Sequence, residues 1–211
     1  MGNPLQILQV ILIAIIPLIL AITLHEAAHG WAAKKLGDNT AYSLGRVSLN
    51  PLVHIDWVGT VALPAIMFAL TGFMFGWAKP VPVKFGNLRN PRVHSMIVAG
   101  AGPAANLLMS MMWAVLFYFT KETNNEYVLS IAKIASAGIT INIIFMLFNL
   151  IPILPLDGGR ILQGLLPVRQ AIQFEKIEPY GIWIVFGLAF FGILSPILGP
   201  LSHMIRQILI F

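Results

Sequence analysis

Two histidines and a glutamate stand together in the stretch His25-Glu26-Ala27-Ala28-His29. Residues four apart on a helix share one face, so the two imidazoles can hold a single metal ion. Glu26 sits beside that face and can reach a water on the ion. A catalytic zinc ion takes three protein ligands and leaves one position for water. It lowers the pKa of that water to about 7, which makes hydroxide available at neutral pH. The spacing therefore points to metal-assisted hydrolysis, with Glu26 as general base.

A third ligand has to come from a short set. The chain has no cysteine, which excludes thiolate sites and disulfides. Its eight acids are Glu26, Asp38, Asp56, Glu122, Glu126, Asp157, Glu175 and Glu178, and its other histidines are His54, His94 and His203. Asp157 stands out because it follows an apolar run directly, in Asn149-Leu150-Ile151-Pro152-Ile153-Leu154-Pro155-Leu156-Asp157-Gly158-Gly159. The prolines and glycines end a helix there and can turn a carboxylate back toward the histidines. An Asp-Gly pair is also an ordinary turn, which is its commoner use. At this point both readings stand.

These residues need elements to position them, and the composition says where those elements lie. Hydrophobic residues make up 58% of the 211 and charged residues only 10%, against about 25% charged in a soluble domain. The surface therefore requires lipid. The net charge of +5 comes from scattered Lys and Arg, with no basic stripe interleaved with aromatics, which argues against a nucleic-acid partner. About 20 apolar residues cross a bilayer core as a helix. Spans are expected at about 5–36, 93–120, 128–151 and 180–198, in one domain covering 1–211. The first run lacks a basic leader region and a small-residue cleavage site, and is read as retained. It runs into the histidines and ends at Gly37. Ionisable groups at membrane depth are costly and as a rule functional, which argues against coincidence in the motif.

The remaining segments are less regular. Residues 40–50 alternate loosely and predict a short strand or hairpin at the membrane surface. Lys79 to Val83 reads as extended, because each proline restricts itself and its predecessor. Gly100, Gly102 and Pro103 predict a kink or break within 93–120. Residues 57–78 are apolar but carry three glycines and a proline.

Charge decides how the spans alternate. Lys and Arg collect on the cytoplasmic side. The first span has none before it, and Lys34, Lys35 and Arg46 after it. If 57–78 crossed fully, Lys79, Lys84, Arg89 and Arg92 would fall outside. Asp157 would then lie roughly 30 Å from the histidines. If 57–78 is re-entrant, those residues stay inside and Asp157 reaches the face of His25 and His29. Non-helical backbone is tolerated at depth when protein surrounds it. An additional crossing would give the same parity, so four, five or six crossings are all compatible with the pattern.

The motifs HEAAH at 25–29, GPAAN at 102–106 and NLIPILPLDG at 149–158 together resemble the site-2 protease family of intramembrane metalloproteases, peptidase family M50. LNPLVHID at 49–56 and GWAKPVPV at 76–83 resemble a compact bacterial branch without PDZ or CBS domains. The resemblance implies an all-α polytopic membrane protein with a three-helix catalytic core, extra spans, a re-entrant segment and a short membrane-associated β element. It implies one catalytic Zn2+ held by His25, His29 and Asp157, with Glu26 as the catalytic base. It also suggests Asn149 as an oxyanion or substrate contact, where an amide donor suits developing charge. The implied substrates are transmembrane proteins, cut by regulated intramembrane proteolysis in the bacterial inner membrane, with the site toward the cytoplasm; the sequence names no regulatory partner.

Other residues read differently. Asn106 and Asn142 are expected to form interhelical hydrogen bonds. His54 either lines the site or sits at the interface, and His94 and His203 read as interfacial. The Lys79–Val83 segment could hold an extended substrate by strand addition. The rival functions are a membrane metal transporter, which should show internal repeats that this chain lacks, and a non-catalytic membrane scaffold, which the intact HExxH and Asp157 oppose.

Overall fold

The computed structural model describes residues 4–62, 66 and 78–210. Three long helices form its centre: α1 (Pro4–Leu36), α3 (Pro91–Thr120) and α4 (Glu126–Asn149). Shorter helices follow or intervene: α2 (Thr40–Ser43), α5 (Asp157–Leu165), α6 (Val168–Glu175), α7 (Glu178–Phe190) and α8 (Ser195–Leu209). Single 3-10 turns occur at Pro51–Val53 and Phe85–Asn87, and a π-helical turn at Trp57–Ala62.

The helix ends follow from local chemistry. At the end of α1, Asp38 N–H donates to Ala33 O and Gly37 N–H to Lys34 O, with Gly37 at φ 118°. That is the paired closure a left-handed glycine permits. Asn90 caps α3, its side chain accepting from Val93 N–H, with Pro91 in the first turn where a missing N–H costs nothing. Asn125 caps α4 by accepting from Tyr127 and Val128 N–H.

Helices α1, α3 and α4 pack on one another through small residues and one polar seam. Ala32, Ala33, Leu88 and Val98 form one apolar cluster, and Ala114, Ile139 and Ile143 another. A Cβ on Gly138 would meet Cδ2 of Trp113 at 2.5 Å, so this glycine admits the indole. Close backbone approach of this kind is how helices associate where lipid removes the hydrophobic drive. Outward faces keep Leu12, Ile16, Leu108, Met112 and Phe119 exposed. Among the described residues three helices, Ile11–Leu36, Pro91–Thr120 and Glu126–Asn149, are long and apolar enough to cross a membrane. The protein is thus an all-α, multi-pass membrane protein.

Several local expectations change. The alternation over 40–50 builds no strand. Thr40–Ser43 is a helical turn, started where Asp38 accepts from Thr40 N–H and its hydroxyl, and the chain turns again at Gly45 with φ 67°. The local bond from Thr40 N–H to the Asp38 side chain here outweighs the two-residue alternation. Helix α3 runs unbroken through Gly100, Gly102 and Pro103. The run 180–198 is divided between α7 and α8, which bend by 80° after the turn at Gly192, φ 71°. The re-entrant expectation for 57–78 falls largely on 63–65 and 67–77, outside the described residues. Its flanks meet: Lys79 N–H donates to His54 O at 3.0 Å. His54 and Lys79 therefore lie at the same end of the bundle.

Candidate metal centre

Helix α1 carries His25 and His29 on the face turned to α3 and α4. Both are buried, with exposures of 3% and 9%. Their Nε2 atoms lie 3.0 Å apart. The turn after α4 brings Asp157, the first residue of α5, against them. Its Oδ2 lies 3.2 Å from His25 Nε2 and its Oδ1 3.3 Å from His29 Nε2.

The hydrogen atoms decide what this cluster is. Nδ1 of His29 lies 2.7 Å from Val98 O, a main-chain carbonyl that can only accept, so the ring proton sits on Nδ1. Nδ1 of His25 lies 2.6 Å from Asn106 Oδ1. Asn106 Nδ2 donates to Ala21 O at 3.2 Å, which fixes its oxygen toward His25 and the His25 proton on Nδ1. Both Nε2 lone pairs then face a carboxylate. Oδ2 of Asp157 is buried without a hydrogen-bond partner. With both imidazoles neutral, the two nitrogens and the carboxylate are all acceptors, a set that suits a cation. One ligand atom from each of the three residues lies within 4.8 Å of the others, a spacing that a single ion with bonds of about 2.0 Å can draw together. Among the described residues this is the one such group of His, Asp and Glu side chains. The residues present fit a zinc ion.

Glycines make the cluster possible. A Cβ on Gly102 of α3 would come 2.6 Å from Cε1 of His25 and closer still to Nε2 of His29. On the Asp157 side, a Cβ on Gly158 would meet Ile151 O at 2.6 Å, and one on Gly159 would meet Ile153 O at 2.6 Å. Gly181 of α7 lies against the carbonyl of Leu154, leaving no room for a side chain. The turn that presents Asp157 is packed backbone to backbone.

The cluster opens into a cavity of about 330 Å³ lined also by Glu26, Pro80, Val81, Val83, Phe85, Asn149 and Arg160. Glu26 accepts from Val81 N–H at 2.7 Å. The Pro80–Val83 segment forms no helix or turn, and Pro80, Val81 and Val83 line the cavity. Asn149 ends α4, with its amide donating to Phe145 O at 2.9 Å. His54 is buried elsewhere, donating to Ser48 O at 2.9 Å, and does not line this cavity. His203 is exposed on α8. Sequence reasoning passed over Arg160, which is paired with Glu178 above the Phe85 ring. It also placed Asn106 in helix packing alone, although GPAAN puts Gly102 and Asn106 one turn apart on the face toward His25.

Comparison with known proteins agrees with this chemistry. The family profile described as "Peptidase family M50" matches residues 121–192. A protein of Bacillus subtilis named "Putative zinc metalloprotease YwhC" is 36% identical over 180 residues, 83% of this chain and 78% of that protein. The chain belongs to peptidase family M50. A second relative is more distant: "Putative zinc metalloprotease Rip2" of Mycolicibacterium smegmatis, 29% identical over 185 residues, 87% of this chain and 68% of its own length. No solved structure matches the chain significantly. This M50 protein is a zinc metalloprotease, a hydrolase that uses Zn2+.

Proposed function

We propose that this M50 metalloprotease hydrolyses peptide bonds within or near the transmembrane segments of other membrane proteins. In this reading His25, His29 and Asp157 hold the zinc ion, Glu26 is the general base and Asn149 contacts the substrate. The observation that carries it is the convergence of His25, His29 and Asp157 beside Glu26, with both histidines inside a membrane helix. His25 lies 21 residues from Pro4 and 11 from Leu36 in α1, roughly 30 and 16 Å along the axis. A soluble peptide would not reach that depth; a membrane segment would.

Zinc, when bound, supplies Lewis acidity that polarises a carbonyl and lowers the pKa of water. Glu26 takes the proton of the attacking water and returns it to the leaving amine. The side-chain amide of Asn149 has one N–H beyond that given to Phe145, available for charge developing on the carbonyl oxygen. A substrate helix must unwind first, since its own amides are otherwise hydrogen-bonded. Pro80, Val81 and Val83 line the cavity, a template against which an unwound segment can align.

The placement of charge supports a site facing the cytoplasm. Lys34, Lys35, Arg46, Lys79, Lys84, Arg89, Arg92, Arg160, Arg169 and Lys176 belong to segments at the end of the bundle that carries the site. The membrane so oriented is the bacterial cell membrane.

The test uses purified protein in proteoliposomes with a membrane-spanning substrate. Glu26→Gln should retain about one zinc per chain and lose activity by about 10²–10⁴-fold. Asp157→Ala and His25→Ala should lose both zinc and activity. Undiminished cleavage by Glu26→Gln, or cleavage of soluble peptides in preference to membrane segments, defeats the proposal.

A further inference from the structure

Behind the metal centre lies a polar seam through the middle of the three-helix core. Asn106 of α3 and Asn142 of α4 are fully buried, at 0% exposure. Asn142 Nδ2 donates to Gly138 O at 2.8 Å, within its own helix. That leaves Asn142 Oδ1 to accept from Asn106 Nδ2 at 3.0 Å. The second proton of Asn106 Nδ2 goes to Ala21 O of α1 at 3.2 Å. Asn106 Oδ1 then accepts from His25 Nδ1 at 2.6 Å.

Each orientation in this chain of bonds is forced. Gly138 O and Ala21 O are carbonyls and can only accept, so neither amide can be turned over without setting oxygen against oxygen. The fixed amide of Asn106 demands a donor from His25. The proton of His25 is therefore held on Nδ1 and its Nε2 lone pair faces Asp157. His29 has a parallel partner in Val98 O, but that one belongs to the main chain. Asn106 is the one side chain that sets the protonation and aim of an imidazole at this centre among the described residues.

We propose that Asn106, held from behind by Asn142, is a positioning residue for the metal: it locks His25 in the Nδ1–H tautomer and points Nε2 at the ion. A metal-ligating histidine whose other nitrogen donates to a fixed acceptor is a stronger ligand, and loss of that acceptor typically costs about 10- to 100-fold in metal affinity. The proposal rests on the reading of His25 as a zinc ligand. The role differs from helix gluing, which would affect stability and leave the affinity of the folded protein alone.

The first measurement needs no variant at Asn106. In metal-free protein carrying 15N-histidine, the His25 ring should carry a proton on Nδ1, bonded to Asn106, the resonance being assigned by its loss in His25→Gln. A His25 ring whose Nδ1 carries no proton overturns the proposal. The second compares Asn106→Leu with Asn106→Asp in full-length protein. Asn106→Leu removes the acceptor and should weaken zinc by about 10- to 100-fold in chelator competition, with an altered cobalt absorption band and unchanged helicity. Asn106→Asp keeps the oxygen facing His25 but loses the bonds to Ala21 O and Asn142 Oδ1, and where it folds it should bind zinc more tightly than Asn106→Leu. Folded Asn106→Leu that binds zinc as the parent does overturns the proposal. A parent protein that binds no zinc at all sinks the site assignment itself, which is a separate failure.

Discussion

The backbone N–H of Val81 donates to Oε2 of Glu26 at 2.7 Å, joining residues 55 apart in the chain. The glutamate beside His25 and His29 and the Pro80–Val83 segment that lines the cavity are thus tied together. Other contacts hold that segment in place. The Arg46 guanidinium donates to Lys79 O at 2.8 Å and Pro80 O at 3.2 Å, and Lys84 N–H donates to Asp38 Oδ2 at 2.7 Å.

Removing the Val81 N–H should loosen Glu26 without touching the metal ligands. Val81 precedes Pro82, so its backbone is already extended, and Val81→Pro deletes the donor at small conformational cost. A hydrogen bond to a charged group contributes about 1.5–3 kcal/mol. If part of that is needed to seat Glu26, turnover should fall about tenfold or more with zinc content unchanged. Val81→Ala keeps the N–H and should retain most activity. Equal turnover for both variants would show that the contact does not matter to Glu26.

Gly102→Ala should disturb the centre despite favouring the helix. Alanine is the better helix former by about 1 kcal/mol, and its methyl would lie 2.6 Å from Cε1 of His25. The imidazoles must move or the helices must separate. Zinc per chain should fall well below one while helicity holds or rises. Full metal occupancy in Gly102→Ala would mean that the packing of α1 on α3 is looser than described.

Asp38 is fully buried just beyond α1 and accepts from Thr40 N–H, the Thr40 hydroxyl, Asn87 Nδ2 and Lys84 N–H. Burial alone would raise its pKa, but bonds from the Thr40 hydroxyl, Asn87, Lys84 and Thr40 outweigh it and hold the carboxyl below the ordinary 3.8. A group with a depressed folded pKa stabilises the fold above its unfolded value and loses that contribution as pH falls through the folded one. Asp38→Asn should therefore cost about 1–3 kcal/mol near neutrality, with the gap from the parent closing below about pH 4. A gap in thermal stability that is flat across this range would exclude the carboxylate as its source.

The absence of cysteine makes sidedness measurable with single-cysteine variants. Leu49 and Arg169 are exposed at the end of the bundle that carries the site, and Asn124 is exposed in the turn joining α3 to α4. In intact cells an impermeant thiol reagent should label Asn124→Cys, and should label Leu49→Cys and Arg169→Cys only after the membrane is opened. Labelling of Leu49→Cys and Arg169→Cys from opposite sides would separate the histidines from Asp157.

The sequence by itself determined the features that depend on neighbours along the chain. HEAAH puts two imidazoles on one helix face because 3.6 residues make a turn, whatever surrounds them. Gly37 ends α1, and Asn90 and Asn125 start α3 and α4, through bonds spanning only a few residues. Apolar length found the three long helices. Only the tertiary structure decided that Asp157 sits against His25 and His29, that Val81 donates to Glu26, and that Asn106 fixes the proton of His25. Alternation over 40–50 misled because a buried carboxylate, Asp38, supplied a stronger local partner than a neighbouring strand would. Contacts between distant segments depend on how closely helices approach, and Gly102, Gly138 and Gly181 set that approach by what they lack. A missing side chain reads in sequence as freedom of the backbone, and becomes room for a neighbour only when the helices are packed.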